Sequence, residues 1–254
     1  MKASQLGMKA PPQIIVHPTS RELGEAAADY LLDRAAKAVA TRGRFTLALS
    51  GGSLLRIISP ALIDRRKEAG AAWSDWEVFW ADERCVAPES PESNYGQARR
   101  MLLQHLPIPP KRIHQLRNPL SPAVAAAGYE TELARVFDSG PAHPPRFDLI
   151  LLGLGKDGHT ASLFPGHPAL AENRRWAVSV TDSPRPPEQR VTLTLPVINN
   201  ARRVAFIAAC PEKARIVARV LGGKGQSSAL PAELVAPLQG QLRWFLDKAA
   251  AAEL

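Results

Sequence analysis

"FDLILLGLGKDGHTASLFPG", residues 147–166, decides how the chain is read. Its first half contains the unbroken apolar run Leu149-Ile150-Leu151-Leu152. Its second half stops that run with Gly153, Gly155 and Gly158, set around a lysine, an aspartate and a histidine. A short apolar run bounded by glycine reads as a strand buried on both faces. The charged groups just past its carboxyl end are then either a turn or a site.

Working outward, the same pattern recurs. "QIIVH" (13–17) reads as a strand, and Thr19-x-x-Glu22 as a capping box opening an alanine-rich helix that runs to Gly43. "FTLALS" (45–50) is a second buried strand, ending at Gly51-Gly52 before the helix-like "SLLRIISPALIDRR". "WEVFWADE" (76–83) is a third strand, with a helix over 94–106 after it. Residues 121–138 read as a helix, 176–180, 190–195 and 203–209 as strands, and 211–221 as a helix starting at Pro211. "QLRWFLDKAAA" reads as a closing helix. Strands alternating with helices predict an α/β fold, a Rossmann-like, mostly parallel sheet with helices on both faces. The Pro-rich stretches 107–110, 141–145 and 184–187 read as loops that separate no distinct halves, so residues 1–254 are expected to form a single domain.

Bulk properties narrow the function. The chain has 254 residues, 45% hydrophobic and 22% charged, as in a soluble globular protein. It lacks an apolar run long enough to span a membrane, and its N-terminus lacks a signal-peptide core, so a cytoplasmic protein is expected. Cys85 and Cys210 are too few for a disulfide framework or a CxxC metal site and read as reduced, buried thiols. The net charge of +8 comes from scattered arginine pairs, including Arg65-Arg66 and Arg202-Arg203, with no nucleic-acid motif among them. Solvated arginines are the expectation, and nucleic acid is not an expected partner.

In an open parallel sheet, ligands bind beyond the carboxyl ends of the strands. Three predicted strands end in unusual chemistry there: "SGGS" (50–53), "ADER" (81–84) and "GLGKDGH" (153–159). Ser50-Gly51-Gly52-Ser53 is either a tight turn or a set of backbone donors at a helix N-terminus that suits an anion. It lacks the Walker spacing. "GLGKDG" likewise lacks the acidic residue of a dinucleotide fingerprint, so a nicotinamide cofactor is not expected. Asp157 and His159 form a candidate acid–base pair. His17, His105, His114, His143 and His167 have no comparable context and read as surface or packing residues. Asp82-Glu83-Arg84 sits beside Trp76, Phe79 and Trp80, and an arginine buried there would want a planar anion such as a carboxylate or phosphate.

Together these motifs resemble the 6-phosphogluconolactonase family, within the larger glucosamine-6-phosphate isomerase/deaminase-like group. The resemblance is carried by "LALSGGS", "VFWADERCVAPESPESNYGQARRMLL", "FDLILLGLGKDGHTASLFPG", "RVTLTLPVINNARRVAFIAACPEKA" and "WFLDKAAA", from about residue 45 to 250. One departure is visible: "SGGSLLRI" stands where the family usually carries "SGGSTP". The resemblance implies hydrolysis of 6-phospho-D-glucono-1,5-lactone to 6-phosphogluconate in the oxidative pentose phosphate pathway, with no metal and no organic cofactor. It also implies roles for residues. His159 would be the general base on water with Asp157 beside it. Gly51, Gly52 and Ser53 would form the phosphate loop, with Arg84, Arg190 and Lys213 as cationic anchors. Asp82 would line the substrate site and Asn94 would contact a sugar hydroxyl. The glycine-rich backbone at 153–158 is the candidate stabiliser of the carbonyl oxyanion. The expected partner is a phosphorylated sugar lactone, bound by a monomer.

Two other readings compete with this one. The amino-sugar deaminases of the same group read "DGHIAFNEP", with a glutamate where this chain has Phe164, and a phenylalanine cannot complete their proton relay. A phosphosugar-sensing domain of a transcription regulator would carry a helix-turn-helix ahead of the sheet. Here the first strand starts at residue 13, and the Asp157/His159 pair is kept.

Overall fold

The structure is a computed structural model that describes residues 11–67, 72–117, 119–140, 143–223 and 229–254. Most of the N-terminal stretch read for a signal peptide, and part of the 141–145 loop, lie outside them.

β1 (Gln13–His17) leads into α1 (Ser20–Arg42), whose N-cap Thr19 accepts a hydrogen bond from the Glu22 backbone while Gly43 closes the other end. Then come β2 (Phe45–Leu49), α2 (Ser53–Asp64), β3 (Trp76–Trp80), β4 (Asp82–Arg84), α3 (Asn94–Met101) and α4 (Pro122–Phe137). The second half contains β5 (Leu149–Leu152), β6 (Ala177–Val180), β7 (Arg190–Leu193), α5 (Leu195–Asn200), β8 (Arg203–Ala208), α6 (Ala214–Gly222), α7 (Pro231–Leu234) and β9 (Gln241–Asp247).

Six strands form a parallel sheet in the order β1-β9-β8-β5-β2-β3. Every residue of β2, β3 and β5 is buried, as the apolar runs predicted. Neighbouring strand residues point to opposite faces. Phe79 packs on Tyr129 and Phe137 of α4, whereas Trp80 meets Tyr95 of α3. α3 lies beside α2, and α2 beside α1. Helices therefore cover both faces. His114 is buried against Phe79, with Glu77 and Glu132 each 2.7 Å from one of its ring nitrogens.

Three expectations need correction. Residues 76–83 do not form one strand, because the chain changes sheets at Ala81. Its N–H donates to Leu49 of the large sheet, while its carbonyl accepts from Leu193 of a second sheet. That sheet, β4-β7-β6, is antiparallel. Residues 241–247 are not a helix. They form β9, inserted between β1 and β8, with Trp244 stacked on Phe206 at 4.0 Å and Phe245 against Tyr30. A short buried run does not distinguish strand from helix by periodicity, and the alanines after Asp247 form only turns. Cys85 is buried as expected, but Cys210 is exposed.

Candidate active site

β3 and β5 flank β2 in matching register: Leu49 stands opposite both Trp80 and Leu151. The three loops that leave these strands therefore meet at one edge. They line a cleft of about 270 Å³ together with the 185–190 segment and Lys213. Gly51, Gly52, Ser53, Asp82, Arg84, His159, Arg190 and Lys213 all face it, as do Ser50, Lys156 and Arg185.

The β2 loop supplies backbone donors. Gly52 is the N-cap of α2 and offers no side chain, so the first N–H groups of that helix stay uncapped. Such an end attracts an anion through its free donors and the helix dipole. The departure at Leu54-Leu55 leaves this entry intact, since both side chains are buried in the core.

Alternation along β4 sorts the next loop. Asp82 and Arg84 face the cleft, while Glu83 points the other way and accepts from the backbone N–H groups of Asn94 and Tyr95 at the start of α3. Burial raises the Glu83 pKa against the lowering effect of those bonds. Arg84 donates to the Glu92 carbonyl, and its Nε has no hydrogen-bond partner among the described residues. The Oγ of Ser50 is likewise buried and unpaired.

Asn94 does not line the cleft. It is fully buried, its amide nitrogen donates to the Asp82 carbonyl, and its carboxamide presses against Gly51 so closely that a side chain there would collide with it. Asn94 thus supports the glycine loop from behind, where no sugar hydroxyl can reach it.

The β5 loop presents the acid–base pair. His159 Nδ1 is in short hydrogen-bond contact with Asp157, and no described residue hydrogen-bonds its Nε2. With an anionic acceptor on Nδ1–H, the lone pair belongs to Nε2. Burial alone would raise the Asp157 carboxyl. The hydrogen bond and charge of His159, joined by Arg185, outweigh it and hold the group well below the usual carboxylate range. A Cβ on Gly155 would overlap the imidazole, so the turn is shaped to seat that ring. The amides of Gly155 and Gly158 are spent inside the turn, on the His159 and Gly155 carbonyls, so these two cannot serve as oxyanion donors.

The cations are not equivalent. Arg190 is buried and donates to Pro187, Arg185, Pro186 and Ser162 while lying over Phe164. It stands opposite Arg84 in the β4–β7 pair. Its pKa is lowered first by burial, with the Arg84 and Arg185 charges adding to the effect. Ser162 donates to Asp82, linking that acid to Arg190. Lys213 donates to the Leu154 carbonyl at 2.6 Å, and burial lowers its pKa. Arg185, on the other side of Asp157 from His159, is 47% exposed, lines the cleft and is ion-paired with Asp157 at 3.3 Å. It lies in the Pro-rich 184–187 stretch, which carried no sign of a site. The side chains of Ser50 and Lys156 also face the cleft, although the motifs gave a role only to the backbone around them. Among the described residues, no cluster of three or more His, Cys, Asp or Glu side chains is arranged to hold a metal.

Residues 18–244 match the family described as glucosamine-6-phosphate isomerases/6-phosphogluconolactonase. The chain belongs to this family. It is 44% identical over 244 residues to the 6-phosphogluconolactonase of Rattus norvegicus, covering 95% of this chain and 93% of that one. Among solved structures it resembles the 6-phosphogluconolactonase from Trypanosoma cruzi, with a TM-score of 0.82 and 28% identity over 97% of this chain and 99% of that one. A monomeric glucosamine-6-phosphate deaminase shares the family fold, with a TM-score of 0.74 at 19% identity over 95% of this chain and 100% of that one. Fold alone therefore does not separate the two reactions of the family, whereas the sequence likeness points to the lactonases. No helix among the described residues is long and apolar enough to cross a membrane.

Proposed function

We propose that this chain, as a cytoplasmic monomer with one catalytic domain, hydrolyses 6-phospho-D-glucono-1,5-lactone to 6-phosphogluconate without a metal or an organic cofactor. One observation carries the reading. His159, held by Asp157, lines the same sugar-sized cleft as Arg84 and the uncapped start of α2.

The phosphate binds the Gly51–Ser53 amides and the free donors of Arg84, with Arg190 and Lys213 adding positive charge from the cleft wall. The lactone carbonyl then lies toward His159. Nε2 takes a proton from water as the water oxygen bonds to the carbonyl carbon. The tetrahedral oxyanion collapses, the bond from that carbon to the ring oxygen breaks, and the imidazolium returns its proton to the departing alkoxide. General base–acid action of this kind contributes roughly 10²–10⁴-fold. Asp157 orients the imidazole and stabilises its charged form. Arg185 supplies the positive charge for the oxyanion in place of the committed glycine amides.

The deaminase alternative fails on Phe164, which is buried between His159 and Arg190 where that reaction calls for a titrating carboxylate. The test is a paired assay in chelator. Lactone freshly made from glucose 6-phosphate should be opened faster than its spontaneous rate, and glucosamine 6-phosphate should release no ammonia. Ammonia release, or a lactone rate no faster than buffer, defeats the proposal. Activity lost to chelator and restored by zinc defeats its metal-free part.

A further inference from the structure

Two of the strands that lead into the active site, β2 and β5, together with β8, carry a second charged cavity at their opposite ends. It has a volume of about 350 Å³ and is lined by Arg42, Arg44, Arg146 and Arg202, with Phe137 and Asp148 among its other walls. These arginines lie just before β2, β5 and β8, at the amino ends of the strands. β2 is five residues long, so roughly 16 Å of strand separates this cavity from the active-site cleft.

Four guanidinium groups here face Asp148, the one carboxylate among the described lining residues. That carboxylate is fully engaged. One oxygen accepts from Arg42 at 2.7 Å, and the other accepts the N–H and hydroxyl of Thr46. Arg202 reaches only an ion-pair distance of 3.3 Å from it. Arg44 donates to the Val136 carbonyl and Arg146 to the Gln239 carbonyl, neither of which neutralises charge. The Nε atoms of Arg146 and Arg202 are shut off from solvent without a hydrogen-bond partner among the described residues. Burial lowers the Arg202 pKa, and the Arg42 and Arg146 charges lower it further. Like charges gathered in a concave, partly desolvated space repel one another, and guanidinium groups relieve this best by paired hydrogen bonds to oxyanions.

We propose that this cavity is a second anion site that takes a small diphosphate, free or borne on a nucleotide. A diphosphate offers several negative oxygens spaced to meet guanidinium groups arriving from three separate strand entries. The hollow shape favours a small molecule over an extended polyanion. The active site is not involved, so the proposal stands or falls separately from the lactonase reading.

The probe is inorganic pyrophosphate in magnesium-free, low-salt buffer, titrated calorimetrically into the wild-type chain and into an Arg44→Gln/Arg146→Gln double variant. The wild type should bind one equivalent more than the variant, or the variant should bind that equivalent about tenfold or more weakly, as expected for the loss of charge-assisted bonds. Hydrolysis rates should be equal. Identical isotherms overturn the proposal. Should the variant fail to fold, phenylglyoxal labelling of the wild type decides. Pyrophosphate or ADP should protect Arg44, Arg146 and Arg202 from modification. Protection by both assigns recognition to the diphosphate alone, and protection by ADP only assigns it to the nucleotide. Protection by neither overturns the proposal.

Discussion

The two ends of β2, β5 and their neighbours are both rich in positive charge, yet they are built differently. At the carboxyl ends, cations converge on glycine turns and uncapped helix donors, and a histidine is held against a carboxylate with its other nitrogen unpaired. At the amino ends, arginines surround a carboxylate already satisfied by Arg42 and Thr46, and no acid–base pair stands among them. Positive charge therefore marks where an anion can bind. It does not mark where chemistry can occur. What distinguishes the reactive end is a group that can accept a proton, aimed into space by a partner behind it. If so, changes at the carboxyl end should alter rate and leave stability alone, and changes at the amino end should do the reverse.

The largest expected effect is therefore at His159. His159→Ala should lower kcat by roughly 10²–10⁴-fold with an unchanged melting temperature. A variant within a few-fold of wild type in the coupled lactone assay would remove the distinction between the two ends. Next comes Gly155→Ala, which places a methyl group where the imidazole sits. Displacing a catalytic ring by about 1 Å can cost on the order of 10²-fold. A fall in kcat with little change in KM is expected. An unaltered kcat would mean that the turn does not position the ring.

Binding without chemistry should give a smaller, differently shaped response. Arg84 lines the cleft and, in the proposed reading, holds the same phosphate in ground and transition states. Arg84→Gln should raise KM about tenfold while kcat moves much less, since a lost charge-assisted bond costs about 1.5–3 kcal/mol. A loss confined to kcat would move Arg84 from the phosphate end to the reacting end. Arg190 makes a poorer test. Its donors hold the 185–187 backbone, so its loss would disturb Arg185 as well.

This contrast also explains what could be read in the chain itself. The buried strands and the three reactive loops were legible because each is a contiguous signal: an apolar run, then glycine, then charge. The exchange of sheets at Ala81 was not, because it depends on Leu193, more than a hundred residues away. β9 was misread because its apolar residues are set by the strands on either side rather than by a local period. Asn94 stood in the right motif, but only packing against Gly51 shows it to be a support. The amino-end arginines looked like scattered surface charge. Arg42, Arg44, Arg146 and Arg202 become one cluster only when parallel pairing brings their strand entries together.

The smallest expected effect on rate is at Asp148, and it tests the other half of the contrast. Replacing this carboxylate by Asn keeps the shape but introduces an amide donor. The two oxygens now face Arg42 on one side and Thr46 N–H on the other, so the new NH2 must point at a donor either way. Asp148→Asn should cost about 2–3 kcal/mol, the penalty for an unsatisfied buried group beside an uncompensated charge. In a chain of this size that lowers the melting temperature by roughly 5–10 °C. The kcat and KM of folded protein should match the wild type. Removing the negative charge also strengthens the field of the surrounding arginines. Pyrophosphate should therefore raise the melting temperature of Asp148→Asn by more degrees than it raises that of the wild type. A variant that loses turnover while keeping its stability would show that the two ends of the sheet are coupled, and the division of labour between them would fail.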